Sequence, residues 1–404
     1  MTAIKKGPAI RFKGFDEKWE TDTLGQLADV YDGTHQTPKY TDAGIMFLSV
    51  ENIRTLKSNK FISENDFKRD FGVFPENGDV LMTRIGDIGT ANVVSTNAPL
   101  AYYVSLALFK KSKLNAQFLK ESISSPSVTK ELWHRTLHIA FPKKINKNEI
   151  EKVTIPFPKS KTEQIRIGNY FKELDGLIQL QEQKLEKVTN LKKAMLEKMF
   201  PKHGADVPEI RFKGFTESWK MKELGQIGDI VGGGTPSTSN KEFWDGSIDW
   251  YSPTEIGYKV YASGSQRQIT QLGLQMSSAT ILPADRTVLF TSRAGIGDMA
   301  ILKKPGATNQ GFQSLVLNDE YDVHFVYSMG FLIKKYAIKY ASGSTFLEIS
   351  GKTLKKMPIT VPTPSEQTLI GNYFKNLDDL IELSQQKIKQ LKHLKQALLQ
   401  KMFI

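Results

Sequence analysis

Ile10-Arg11-Phe12-Lys13-Gly14-Phe15 recurs as Ile210-Arg211-Phe212-Lys213-Gly214-Phe215, an offset of 200 residues. Trp19 is answered by Trp219, Leu24-Gly25-Gln26 by Leu224-Gly225-Gln226, and Asp29 by Asp229. A second echo closes each half at an offset of 203: Glu163-Gln164, Ile167-Gly168-Asn169-Tyr170-Phe171-Lys172 and Leu174-Asp175 return as Glu366-Gln367, Ile370-Gly371-Asn372-Tyr373-Phe374-Lys375 and Leu377-Asp378. Between the echoes the halves diverge. The chain is therefore framework, variable module and helix, written twice, and a repeated frame of this kind holds two different modules.

The closing helices are the clearest elements. Leu174, Ile178, Leu185, Val188, Met195 and Met199 advance in alternating steps of four and three, a heptad seam, and Leu377, Ile381, Ile388, Leu391, Leu398 and Met402 keep the same phase. Polar interruptions coincide as well, Gln181 with Ser384 and Lys192 with Lys395. Antiparallel pairing sets Gln181 opposite Lys395 and Lys192 opposite Ser384. Parallel pairing also matches polar with polar, so the pattern leaves the direction open, and a pseudo-twofold relation between the halves favours antiparallel. Flanking rows, Leu177, Leu180, Leu191 and Ala194 with Leu380, Leu383, Leu394 and Ala397, give each helix more apolar surface than one partner helix covers. Proline-rich entries, Ile155-Pro156-Phe157-Pro158 and Val361-Pro362-Thr363-Pro364, mark the helix starts, with Thr162 and Ser365 as expected caps. From there each helix spans about 37 residues, roughly 55 Å.

The modules, from about residue 28 to 154 and 228 to 360, carry short apolar runs bounded by Gly, Pro, Asn and Asp, as in Val80-Leu81-Met82-Thr83 and Val288-Leu289-Phe290-Thr291. Helices are expected around Asn115–Ser124 and Val323–Tyr336. Each module is mixed α/β (α+β). A common skeleton persists: Ile45–Ile53 lines up with Ile248–Ile256, sharing Ser49 and Ser252. Arg84 with Gly86-Asp87-Ile88-Gly89 resembles Arg293 with Gly295-Ile296-Gly297-Asp298. The expected division is 1–154 for the first module with its framework block, 155–200 for the first long helix, and 201–207 for a linker. Residues 208–360 then form the second module with its block, and 361–404 the second long helix.

A chain of 404 residues with 40 % hydrophobic content supports two cores, and a formal net charge of +12 suits a polyanionic partner. Absence of cysteine excludes disulfides and thiolate chemistry, as suits the cytoplasm. No apolar run follows the basic N-terminus as a signal peptide requires, and none approaches the ~20 residues of a membrane span. His134 and His138 are the one histidine pair at helical spacing and lack a neighbouring HExxH-type glutamate, so no metal site is expected. Gly232-Gly233-Gly234-Thr235 lacks the lysine of a phosphate loop and reads as a turn. No catalytic constellation emerges, which points to recognition.

Base reading requires forked or bidentate donors, Arg for guanine and Asn or Gln for adenine, with Lys, Ser and Thr on phosphates. Candidates in the first module are Thr37, Lys39, Asn52, Arg54, Arg84, Tyr103, His134 and Arg135. Those in the second are Thr235, Ser237, Asn240, Thr254, Glu255, Arg293, Asn309, Gln310, Gln313 and Thr345.

In this order of parts the chain resembles the specificity (S) subunit of type I restriction-modification systems. Val288–Arg293, Thr308–Leu315 and Gly343–Ser350 look like segments of that family's target-recognition domains. Ala101–Leu106 stands in the first module where the second has Asn309–Leu315, so base-reading residues do not carry over between modules. The resemblance implies two target-recognition domains, related by a pseudo-twofold and separated by two long helices. It implies a non-catalytic subunit that binds a bipartite, asymmetric double-stranded DNA site, one half-site per module, with a spacer set by the helices. Implied partners are two modification subunits, which use S-adenosylmethionine to methylate adenine N6, and two restriction subunits, which use ATP and magnesium. A coiled-coil scaffold is the alternative; it leaves two divergent polar modules unexplained. A fused nuclease or methyltransferase would need an active site that the sequence does not display.

Overall fold

The computed structural model describes residues 7–202, 204–293, 295–343 and 347–404. Thr345 lies outside them. The chain divides into two compact units, Met1–Glu182 with Gln386–Ile404, and Gln183–Gln385. Each is mixed α/β, and each contains the start of one long helix and the end of the other.

In the first unit a four-stranded antiparallel sheet runs in the order Asp29–Asp32, Leu106–Lys110, Val80–Ile85, Asp87–Val93. A three-stranded sheet has Ile45–Leu48 in the middle, antiparallel to Phe61–Ile62 and parallel to Leu100–Tyr102. The second unit repeats this plan with Gly228–Gly232, Gln313–Leu317, Thr287–Phe290 and Met299–Leu302, and adds the edge strand Tyr261–Ala262. Its smaller sheet places Trp244–Tyr251 between Arg267–Ile269 and Gly306–Thr308, again with the parallel pairing preserved. The divergent modules are thus one topology carrying two sets of side chains.

The echoes find their reason in the frame. Arg11 donates from Nε and Nη2 to both carboxylate oxygens of Glu163 at 2.7 and 2.8 Å, and Arg211 does the same to Glu366 at 2.7 and 2.8 Å. Both glutamates are buried, so the first echo supplies the cation that the second needs. Gln164 donates to Pro158 O at 2.8 Å and accepts from Asn115 N at 2.9 Å; Gln367 repeats this with Pro362 O at 3.1 Å and Asp322 N at 3.2 Å. A Cβ on Gly168 would stand 2.8 Å from Phe118 N, and one on Gly371 would stand 2.1 Å from Asp322 Oδ1. Only glycine lets the long helix approach the capped N-terminus of the module helices Ala116–Ile123 and Val323–Ser328. The expected helix from Val323 to Tyr336 breaks at Met329 and resumes as Gly330–Tyr340.

The long helices run Lys161–Lys198 and Pro364–Met402. Thr162 and Ser365 lie inside the first turn rather than at the caps. Ser160 Oγ instead accepts from Glu163 N at 3.3 Å, and Pro364, whose missing N–H is no loss there, opens the second helix. Within the first unit Asp175 pairs with Lys395 at 2.6 Å and Glu182 with Lys392 at 2.7 Å, so one helix ascends as the other descends. The second unit agrees, with Lys192 on Asp378 and Phe200 on Phe374. Pairing is antiparallel. The lysines meet Asp175 and Asp378, not Gln181 and Ser384 as the polar interruptions suggested, because a partly buried ammonium requires an anion. Ser384 instead bonds its own helix at Leu380 O, 2.8 Å.

Of the seam, Leu174, Ile178, Met199, Leu377, Ile388 and Met402 are buried and Leu185, Val188, Met195, Ile381, Leu391 and Leu398 half-buried. The helix ends complete the cores: Phe403 packs against Trp19, Phe118 and Phe171, and Phe200 against Trp219, Phe325 and Phe374. Leu177, Leu180 and Leu394 stay exposed in the first unit, as do Leu380, Leu383 and Leu191 in the second. No helix among the described residues is long and apolar enough to cross a membrane.

Candidate nucleic-acid interface

Backbone pairing puts the two modules in register, position by position. Tyr103 N donates to Leu48 O at 2.8 Å and Asn309 N to Tyr251 O at 3.0 Å, so Tyr103 and Asn309 occupy equivalent places. Ser49 and Ser252 open equivalent capping boxes closed by Asn52 and Glu255. Arg84 N bonds Ser105 O and Arg84 O receives Ile145 N; in the second module Ser292 takes that place, bonding Gly311 O and receiving Ile349 N. The expected match of Arg84 with Arg293 is therefore one residue out of register. In an extended segment one residue reverses the side chain's direction. Arg84 accordingly points inward, 5 % exposed, donating from Nε to Ile145 O at 3.0 Å and ion-paired with Asp32 at 2.5 Å. It buttresses the module and is not presented to a ligand.

Several other candidates are likewise engaged in holding loops. Asn52 accepts from Ser49 N at 2.9 Å and donates to Lys57 O at 2.8 Å, while Glu255 accepts from Ser252 N at 2.7 Å and Gln266 N at 2.6 Å. Arg135 is forked between Glu131 at 3.0 Å and Glu149 at 3.2 Å, and those bonds raise its pKa further above the ordinary arginine value. Asn240 caps a short 3-10 turn by accepting from Glu242 N at 3.0 Å. Thr37, Lys39, Arg54 and His134 are exposed, and Tyr103 half-exposed with its ring 6.2 Å from Phe47. Asn92 donates to Arg54 O at 3.1 Å and fixes that turn.

In the second module two of the candidates, Thr235 and Gln310, come together from distant parts of the chain as a hydrogen-bonded pair. Asn309 Oδ1 accepts from Gly311 N at 2.8 Å, and Arg293 lies 4.0 Å from Glu348. Thr254 Oγ1 is 3.1 Å from Ser252 Oγ and Ser237 Oγ 2.8 Å from Ser239 Oγ; Gln313 is half-buried. The glycines before Thr235 form no turn. A Cβ on Gly233 would meet Asn309 O at 2.0 Å and one on Gly234 would meet Ala279 N at 2.4 Å, so the run is glycine to let two backbones touch. Sequence reasoning missed Arg267, whose guanidinium lies 3.5 Å over the Trp244 ring, with Trp250 standing edge-on to Trp244. The Trp244 and Trp250 spacing was the available signal. Exposed Arg, Lys, Thr and Gln side chains on stiffly capped loops suit contacts to phosphates and base edges.

Comparison with known proteins agrees with this geometry. The family model for the type I restriction modification DNA specificity domain matches residues 16–190 and again 216–393. The MjaIX specificity subunit of Methanocaldococcus jannaschii is 40% identical over 171 residues, 41% of this chain and 39% of that protein. The EcoR124I/EcoR124II specificity subunit of Escherichia coli is 32% identical over 180 residues, 42% of this chain and 43% of that protein. These alignments span about two-fifths of the relatives' length. Among solved structures, the type I S subunit from M. genitalium superposes with a TM-score of 0.69 at 16% identity, covering 98% of this chain and 99% of that one. With the family model matched once on each half, the chain belongs to the type I restriction-modification DNA specificity family.

Proposed function

We propose that this chain is the DNA-reading subunit of a type I restriction-modification complex, recognising a bipartite, asymmetric duplex site with one half-site per module. The observation that carries this is the equivalence of Tyr103 with Asn309: the same backbone position, beside the same parallel strand pair, carries a different polar side chain in each module, so one frame presents two reading surfaces. The chain acts without chemistry of its own. Two modification subunits, using S-adenosylmethionine, methylate adenine N6, and two restriction subunits use ATP and magnesium, all in the cytoplasm. Exposed rows Leu177, Leu180 and Leu394, and Leu380, Leu383 and Leu191, are the surfaces on which the modification subunits dock. The spacer of the target is set by the long helices.

The test is methylome sequencing of cells that express this chain with its modification subunit. A single motif of two unlike half-sites is expected. Purified chain alone is expected to transfer no methyl group and cut no DNA, and turnover by the lone chain would overturn the reading. Its affinity for DNA is expected to fall by orders of magnitude between about 50 and about 200 mM salt if six or more phosphate contacts form; a flat response would favour a scaffold.

A further inference from the structure

The stretch from Trp133 to Lys147 contains no Asp or Glu and holds Arg135, Lys143, Lys144 and Lys147. Its centre is a hairpin with a rigid stem. Leu137 N donates to Lys144 O at 2.7 Å, Gly86 N to Lys143 O at 2.8 Å, and Ile145 N to Arg84 O at 3.0 Å. The buried Arg84 side chain grips the same stem through Ile145 O. At the tip the exposures are 98% for Ile139 and 103% for Phe141. Lys143 Nζ lies 4.5 Å from the centre of the half-exposed Trp133 ring. The second module has a counterpart stem, with Ser342 and Glu348 exchanging backbone bonds at 3.0 Å and Ile349 N on Ser292 O, and Leu347 there is 58% exposed.

Two fully exposed apolar side chains at the tip of a fixed hairpin add nothing to folding, and such exposure marks an interaction surface. The rim decides the partner. Protein interfaces are depleted in lysine, whereas this tip is flanked by Lys143 and Lys144 with no carboxylate between Trp133 and Lys147; Arg135 and Lys147, nearer the base, are ion-paired with Glu131, Glu149 and Glu151. Apolar wedges flanked by cations are what proteins insert between base steps, the cations holding the phosphates on either side. Building on the DNA-reading role proposed above, we propose that the Leu137–Lys144 hairpin is a wedge that enters the base stack of the first half-site, with Phe141 and Ile139 displacing stacked bases and Lys143 and Lys144 on the phosphates. It would make recognition depend on how easily the step opens, as well as on base-edge contacts.

The test uses the full chain assembled with its modification subunit, and a duplex carrying the motif found by methylome sequencing with 2-aminopurine placed in turn along the first half-site. Wild type is expected to bind and to raise 2-aminopurine fluorescence at one step. The double variant Ile139→Ser, Phe141→Ser is expected to lose that rise and about tenfold or more in affinity, in line with the worth of one base stacked on an aromatic side chain. Its salt dependence should be unchanged. Lys143→Gln, Lys144→Gln should instead lower the slope of log affinity on log salt by about 2. Unaltered thermal unfolding shows that the variants are folded, since neither tip side chain is packed. Equal affinity of the wedge variant, or binding by wild type without a fluorescence rise, overturns the wedge alone. Failure of the double variant to assemble with the modification subunit places a protein on the tip and overturns it too. Failure of wild type to bind the duplex overturns the DNA-reading role itself.

Discussion

Asp175 and Asp378 are the same residue of the repeat, yet their surroundings drive them apart. Burial pushes both carboxyls up. Around Asp175 this is outweighed by Lys120 at 2.6 Å and Lys395 at 2.6 Å, which hold it below the usual carboxylate range, and Glu121 between the lysines completes a partly buried square of charges. Around Asp378 Tyr327 stands where Lys120 does, and burial prevails over Lys192 and the weaker pull of His324. The linkage signs are therefore opposite. Stability contributed by Asp175 is present above the unfolded pKa of about 3.9 and is lost as pH falls through its depressed folded value. Asp378 binds its proton more tightly when folded, so its contribution declines as pH climbs from about 3.9 through its raised value. Asp175→Asn is expected to destabilise the first unit by about 2 kcal/mol near neutrality, a difference that shrinks in acid, whereas the pH-dependent part of Asp378→Asn should run the other way. Residue-resolved hydrogen exchange between about pH 3 and about pH 7 reads each unit separately. Parallel pH trends for the two variants would contradict the assignment. The clasp is simpler: Arg11→Leu or Arg211→Leu leaves a buried glutamate without its cation and is expected to cost about 3–5 kcal/mol in denaturant unfolding.

At the scale of the element, the glycines of the long helices separate two kinds of constraint. Gly168 and Gly371 face the capped ends of module helices, and a methyl there meets backbone or a capping carboxylate. Gly176 has nothing within 4 Å of a built Cβ. Alanine in a helix interior is favoured by roughly 1 kcal/mol over glycine, so Gly176→Ala is expected to stabilise by about that much. Gly168→Ala, overpacking a tight crossing, is expected to destabilise by about 1–3 kcal/mol. Thermal unfolding of the two variants decides, and a Gly168→Ala protein as stable as Gly176→Ala would mean that the crossing relaxes freely. This contrast was half legible in the sequence. The Ile-Gly-Asn-Tyr-Phe repeat was visible, though not what its glycine faces, and the heptad phase marked both long helices, because helix period is a local property. What each helix faces is not local. Thus the partners of Lys192 and Lys395, the capping by Ser160 and the aromatic closure by Phe200 and Phe403 emerged only in three dimensions. The same holds for the interface: Arg84 and Arg293 look alike in sequence, and a one-residue difference in register buries the first.

Across the whole molecule, the repeat separates what holds the frame from what reads. Frame contacts to the first module include Gln164 to Asn115 N, Gly168 against the helix cap, Trp19 and Phe403 on Phe118, Ser127 on Ile404 O, Thr154 N on Glu131, and the charge square at Lys120 and Glu121. The second module meets its frame at the corresponding places but replaces Lys120 and Glu121 by Tyr327 and Ser328, so the frame tolerates a change of charge there. Replacing residues 34–150 by the first module of another family member should therefore fold, provided that the donor keeps a capping Asn or Asp and close helix contact where Asn115 and Phe118 stand. A donor without the Lys120–Glu121 pair leaves Asp175 to Lys395, much as Asp378 relies chiefly on Lys192, and should lose stability without losing assembly. Because Gln183–Gln385 has its own sheets and core, the chimera is expected to keep the half-site read by residues 235–356 and change only the other. Methylome sequencing of cells carrying the chimera and the native modification subunit measures this directly. If both half-sites changed together, the two modules would not read independently, and the repeated frame would be doing more than carrying them.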